Sequence, residues 1–388
     1  MDFEFKQEQR QLGDAIRRWI ARDYGVETRR ATVASASGTS DAAWATLAEL
    51  GLTALPLPAA QGGFDGDAVD MFVVMQELGR GLVVEPYFAT MPGARCLVLA
   101  DAARFAAQLD SVAAGSLKLA CALGERQSRH EMRDIATRAV RSADGWLLDG
   151  EKKVVLHGAQ ADVLLVSART RGAQRDEDGI TLFALATDAP GVTVTAYRML
   201  DGQRGADVRF DGVRVGADAL VGAEHGGWTI LDAALDWGAG LLCAEAVGAM
   251  DALFGATLDY LKTRQQFGAP IGKFQALQHR MADMYIHLEQ ARSMALLAAV
   301  RLSDPAIDAD TRRGAVSAAK YRVGRAARFV GQQAVQLHGG IGVTEELPAA
   351  HWFKRLSTIE LTLGDCDHHL LRFMAQPGFA RDEAALSR

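Results

Sequence analysis

The chain has 388 residues, 49% apolar and 23% charged, enough to bury a sizeable core in two or three domains. Its net charge of -6 excludes a polyanionic partner such as nucleic acid, which needs clustered Lys and Arg to displace counterions. The opening M-D-F-E-F-K-Q-E-Q-R is charged and lacks an apolar run, and no apolar stretch reads as long enough to span a bilayer, so no signal peptide, no membrane contact and a cytoplasmic location are expected.

From Phe5 to about Leu117 the pattern is helical. Alanine-rich segments are broken at Pro56-Leu57-Pro58, Gly62-Gly63-Phe64 and Glu85-Pro86, which predicts an all-α domain over 1–117. Over 118–222 short apolar or alternating runs follow turn residues: Trp146-Leu147-Leu148, Val163 to Val166, Ile180 to Phe183 and Val208-Arg209-Phe210. These predict a small antiparallel β domain. Over 223–388 the spacing predicts three long helices, at 228–264, 275–302 and 311–337. Helices of that length must pack along one another, most simply as an antiparallel bundle. Four cysteines, Cys96, Cys121, Cys243 and Cys366, form no C-x-x-C pair and read as reduced thiols.

Arg264 ends the first long tract and precedes Phe267-Gly268 and Pro270. A helix terminus finished by Arg, Gly and Pro has this composition. So does a guanidinium placed to hold a diphosphate beside a glycine that admits a ligand to the backbone. Gln336-Leu337-His338-Gly339-Gly340 is likewise either a helix cap or a ligand corner. In Asp365-Cys366-Asp367-His368-His369, helical spacing would put Asp365, His368 and His369 on one face, a pattern that serves metals. A helix start with Asp as cap and histidines at the surface is preferred, and no metal is expected.

Taken together, R-Q-Q-F-G-A-P-I-G-K-F-Q-A-L-Q-H-R-M-A-D-M from Arg264 to Met284 and Q-L-H-G-G-I-G-V-T-E-E from Gln336 to Glu346 resemble the two flavin-gripping signatures of the acyl-CoA dehydrogenase family. The resemblance covers essentially the whole chain. It implies that family's fold: an all-α N-terminal domain, a central antiparallel β domain and a C-terminal four-helix-bundle domain. It also implies FAD as cofactor and an acyl-CoA as substrate, with an electron-transfer flavoprotein or similar acceptor as electron partner. The positions carried over to cofactor binding are Arg264, Phe267, Gln275, Gln336, Gly339 and Gly340, with Asp365 and Asp367 from the Gly364-Asp365-x-Asp367 run. In the family these contacts reach an FAD whose flavin ring lies in a neighbouring subunit, which implies a homo-oligomer or a hetero-oligomer with a homologue.

Three departures accompany that likeness. The family's catalytic Glu-Gly-Thr reads Leu363-Gly364-Asp365 here, and the alternative glutamate position on the first long bundle helix is Gly238. Neither side chain accepts a proton, so no catalytic residue is assigned; the nearest carboxylates, Asp236 and Asp365, read as surface or capping groups. On the ring side, the family's Thr, Trp and Thr are replaced by Gly124, Val154 and Leu156. The chain therefore resembles either an acyl-CoA-desaturating flavoprotein subunit or a non-catalytic subunit that completes the FAD site of a paired homologue. A nitroalkane-oxidising or hydroxylating flavoenzyme is the remoter alternative. Within the family the runs His338 to Leu347, His351 to Leu356 and Gly364 to Leu370 are most similar to small subunits of paired pimeloyl-CoA dehydrogenases, implying a dicarboxylyl-CoA substrate. The sequence singles out no residue for a distal carboxylate.

Overall fold

The computed structural model describes residues 5–377. Six helices come first: α1 Gln7–Asp23, α2 Val26–Ala34, α3 Asp41–Glu49, α4 Ala68–Arg80, α5 Tyr87–Asp101 and α6 Ala106–Ala113. Strands follow: β1 Leu119–Ala122, β2 Arg138–Ser142, β3 Gly145–Leu156, β4 Val163–Arg169, β5 Ile180–Ala186, β6 Val192–Arg198, β7 Arg204–Val215 and β8 Leu220–Val221. The rest is α7 Gly227–Thr263, a hairpin of β9 Gln265–Gln266 and β10 Ala269–Pro270, then α8 Gln275–Leu302, α9 Ala309–His338, α10 Pro348–Leu361 and α11 Cys366–Met374. Side chains set several starts. Ser40 caps α3, Asp67 and Asp70 form a capping box on α4, and Asp308 caps α9.

The chain divides into two compact units. One holds Arg30–Gly66 and Val84–Gly238; the other holds the described residues up to Arg29, Asp67–Val83 and those from Ala239 on. In the first unit the strand order is β6-β7-β3-β2-β4-β5-β8, with β1 beside β4. Trp146, Leu148, Val155, Leu164, Phe183, Val208 and Phe210 point inward from alternate positions to make the core. Most neighbours are antiparallel, as expected. β1 instead runs parallel to β4, and β2 meets β4 in parallel at Arg138 and Arg169, so the sheet is mixed. The strand pattern carries burial and not direction, which is why the exception was invisible.

In the second unit α8 and α9 bury alanines, among them Ala291, Ala295, Ala298, Ala319, Ala326 and Ala334. Small side chains let these long helices approach closely. Gly79 of α4 and Gly248 of α7 mark a still tighter crossing: a Cβ on Gly79 would lie 2.1 Å from the Glu245 carbonyl oxygen, and one on Gly248 would lie 1.7 Å from that of Gln76. Helix α7 corrects the membrane reading, because it contains an 18-residue window long and apolar enough to cross a bilayer. Of that window 67% is buried inside the protein, so its apolarity is spent on core packing.

Candidate functional site

Most of the residues expected to grip a flavin fall at one end of the bundle. Phe267 and Gly268 are the two turn residues of the β9–β10 hairpin, and both have positive φ, 55° and 77°. That is the two-residue hairpin geometry whose twist suits flanking strands, and it is costly for Phe267, which has a side chain to accommodate. The Phe267 ring is 92% exposed all the same, meeting the half-exposed Phe274 ring edge-on at 6.1 Å. Arg264 sits directly after α7 and its side chain has no hydrogen bond or ion pair among the described residues. Gln275 opens α8 and Gln336 lies in the last turn of α9, both exposed.

Gly339 (φ 66°) and Gly340 follow α9 and face open space, with nothing within 4 Å of a Cβ built on either. Tyr260 joins the two segments. It lies one turn before Arg264, its ring packs at a tilt against His338 with centroids 4.5 Å apart, and its hydroxyl donates to the His338 carbonyl. The fold thus draws Arg264, Gln336 and Gly339-Gly340 to the same end of the bundle, all of them exposed. Such a corner of guanidinium, side-chain amide and uncrowded glycine backbone fits the diphosphate half of FAD.

Asp365 and Asp367 play a different part in the chain's own structure. Asp365 is the N-cap of α11 and accepts from the His368 amide at 2.8 Å, while Asp367 lies exposed in the first turn. His369, expected at the surface, is buried. Its Nε2 bonds the Leu363 carbonyl at 2.9 Å, and burial pushes its pKa down to about 2, so the ring is neutral and donates. Lys320 is also buried, and its ammonium donates to the carbonyls of Ile359, Glu360 and Gly364 at 2.8 to 3.1 Å. Leu363 itself has φ 56°, an uncommon conformation for a branched side chain. Two buried residues therefore hold the Leu363 segment, expected at the family's catalytic position, in a specific strained shape, and the side chain it presents is aliphatic.

Sequence reasoning missed Lys320 and placed His369 at the surface. A signal for Lys320 existed: it falls on the apolar stripe of α9 with Val316, Val323 and Ala327. Asp236 needs correction as well, since it is only 1% exposed. It cannot stand in for a glutamate at Gly238, because residues two apart on a helix point to different faces.

The ring-side positions cluster in the other unit. Between Lys152 and Val155 strand β3 shifts register against β7, forming a bulge at Lys153 and Val154 opposite Asp207. Val154 has φ 54° and is 54% exposed; Val155 turns into the core, so Val154 and Leu156 share the outer face. The Lys153 amide donates to the Gly124 carbonyl at 2.7 Å, which brings Gly124 to the same place. A Cβ on Gly124 would meet only the Lys153 carbonyl oxygen, at 3.4 Å, so a side chain has room there and none is present.

Lys152 organises this region from below. Wholly buried, it donates to the Leu123 carbonyl, to Glu125 Oε1 at 2.7 Å and to Ser167 Oγ, and burial lowers its pKa to about 8. Glu125 also accepts from the amides of Ala136 and Thr137. Its burial opposes ionisation, but the Lys152 charge and these bonds leave its carboxyl below the usual range. At the positions expected to face a flavin ring the chain offers a glycine and two aliphatic side chains, with no hydroxyl or indole.

Comparison with known proteins follows the same outline. The models for the N-terminal, middle and C-terminal domains of acyl-CoA dehydrogenase match residues 6–107, 120–213 and 225–376. Acyl-CoA dehydrogenase FadE12 of Mycobacterium tuberculosis is 32% identical over 349 residues, 89% of each chain. A solved variant of the Tcur3481-Tcur3483 steroid ACAD is 30% identical with a TM-score of 0.86, covering 98% of this chain and 99% of that one. The ChsE4-ChsE5 complex of Mycobacterium tuberculosis aligns with a TM-score of 0.86 at 26% identity, covering 99% of each chain.

Proposed function

The chain belongs to the acyl-CoA dehydrogenase family, and from that premise we propose that it is the flavin-gripping subunit of a paired acyl-CoA dehydrogenase, acting in α,β-desaturation of a dicarboxylyl-CoA such as pimeloyl-CoA. It is a flavoprotein of the FAD-dependent oxidoreductase class. One contrast carries the reading: Arg264, Gln275, Gln336 and the Gly339-Gly340 corner are exposed and unobstructed, while Leu363, Gly238, Gly124, Val154 and Leu156 lack the groups for proton abstraction and ring contact.

FAD, when bound, supplies the hydride acceptor for the β carbon. Arg264 would hold its diphosphate by charge-assisted hydrogen bonds, helped by the exposed side-chain amides of Gln275 and Gln336. The α proton is left to a carboxylate on the partner chain. Electrons leave to an electron-transferring flavoprotein or similar acceptor. A hetero-assembly suits a half-kept site: this chain's grip completes the partner's flavin site, whereas the partner has no means of restoring the missing groups here. That a related structure is a complex of two named chains, ChsE4 and ChsE5, supports the pairing.

In the assembled protein Arg264→Ala should weaken FAD binding roughly 10- to 150-fold, since one charge-assisted contact is worth about 1.5–3 kcal/mol. Flavin fluorescence during dilution or dialysis measures it. Unchanged affinity, or a monomer by light scattering, would count against a shared site.

A further inference from the structure

The outer face of the α8–α9 hairpin carries positive charge that the described chain leaves unbalanced. From Val316 to His338, helix α9 holds Lys320, Arg322, Arg325 and Arg328 and no carboxylate. Lys320 is buried on its carbonyls and Arg328 pairs with Glu360. Arg322, Arg325 and, across on α8, Arg280 form no ion pair among the described residues. Arg280 donates to Gln333 Oε1 at 3.0 Å, and Arg322 donates to Gln290 Oε1 and, at 3.2 Å, to His287 Nδ1. The exposed Arg325 meets only the Tyr321 ring, 5.9 Å from its guanidinium carbon. His287 stacks on Phe329 with ring centres 4.1 Å apart. Its pKa is held down by burial and then by the Arg322 and Arg325 charges, against which Asp283 is the one carboxylate acting. Arg322 and Arg325 are three apart on one helix, and like charges so placed cost stability. Among these charges stands an apolar side chain: Ile286, one turn before Gln290, is 52% exposed. The face starts at the flavin-grip end of the bundle, since Arg280 follows Gln275 on α8 and Gln333 precedes Gln336 on α9.

We propose that this face is the docking surface for the paired subunit, and that it selects a chain presenting Asp and Glu around an apolar side chain over a second copy of this one. The inference rests on the paired-subunit reading above and adds where the partner sits and what chemistry chooses it. A closed dimer of identical chains uses the same patch on both. Arg280, Arg322 and Arg325 of one copy would then face the same three cations of the other, and like charges across an interface oppose association. An acidic partner instead supplies the missing counter-charges, in geometry that the guanidinium fork matches, and Ile286 gives the contact its apolar centre. The arrangement thus carries both an attraction to one partner and a repulsion of the wrong one. Nucleic acid and anionic lipid fit less well: the chain has a net charge of -6, and cations set around an isoleucine make no track for phosphates.

The test uses the full chain co-expressed with the acyl-CoA dehydrogenase homologue encoded beside it, with the strength of pairing read by sedimentation velocity. Raising the salt to about 1 M should weaken pairing roughly tenfold or more. Arg322→Glu with Arg325→Glu should weaken it about 100-fold or more, because it sets acid against acid. Ile286→Asp should weaken it for the same reason. Arg301→Glu, an equal charge change on an exposed side chain near the other end of α8, should leave it unchanged. Each lone variant should keep the wild-type Tm, which separates lost docking from lost fold. Pairing that ignores both salt and the two glutamates overturns this assignment alone. So does a disulfide-linked dimer of the lone Ile286→Cys chain, which would seat a second copy on the face. Failure of the two chains to pair at all overturns the assignment and the paired-subunit reading together.

Discussion

Purified alone and assayed with an artificial electron acceptor, the chain is expected to oxidise pimeloyl-CoA or any straight-chain acyl-CoA at least 10²- to 10⁴-fold more slowly than a family member with its glutamate, the usual cost of losing a general base. The reasoning is local. In the proposed reading Leu363 stands where relatives keep their glutamate, and its segment is tied down by Lys320 and His369. Asp365 is spent capping α11, and Asp236 points away from the face of Gly238. Leu363→Glu should restore turnover only in an assembly that also holds a flavin ring against this chain. Robust turnover by the lone wild-type chain would refute the account of Leu363.

A comparably large effect is expected on stability from Arg355→Met. Glu245 of α7 and Arg355 of α10 are 4% and 3% exposed and joined by two bonds, at 2.6 and 2.8 Å. Removing one partner leaves a buried carboxylate uncompensated, which costs about 3–5 kcal/mol. Replacing both, as Glu245→Leu with Arg355→Met, should recover most of that loss, since an apolar pair of similar volume avoids the desolvation penalty. Urea unfolding of the single and double variants measures it. A single variant within experimental error of wild type would show that the pair is not the tie between α7 and α10 that its geometry indicates.

The bundle was legible because its signals are local and repeated. The helices expected at 228–264, 275–302 and 311–337 form at Gly227–Thr263, Gln275–Leu302 and Ala309–His338, bounded by glycine pairs, Pro270 and the Asp308 cap. Strand cores at Trp146, Val163, Ile180 and Val208 were visible for the same reason. Strands β2 and β6 were not. The first buries only Ala139 and the second no residue fully, so neither carries a buried face for the pattern to show. Nor were the chemically telling residues of the site. Whether a lysine on an apolar stripe snorkels or is sealed in depends on the neighbouring elements, and the three carbonyls that receive Lys320 lie about 40 residues away in sequence.

The most direct test of the central claim is a count of flavins. The chain is co-expressed with an acyl-CoA dehydrogenase homologue encoded beside it, and the product is examined by native mass spectrometry together with flavin absorbance. In the proposed reading the grip at Arg264, Gln275, Gln336 and Gly339-Gly340 is kept while Gly124, Val154 and Leu156 lack the groups that would contact a ring, so the expected product is a mixed complex with one FAD for each pair of chains. A homo-oligomer carrying one FAD per chain, its ring ordered against Gly124 and Val154, would contradict it.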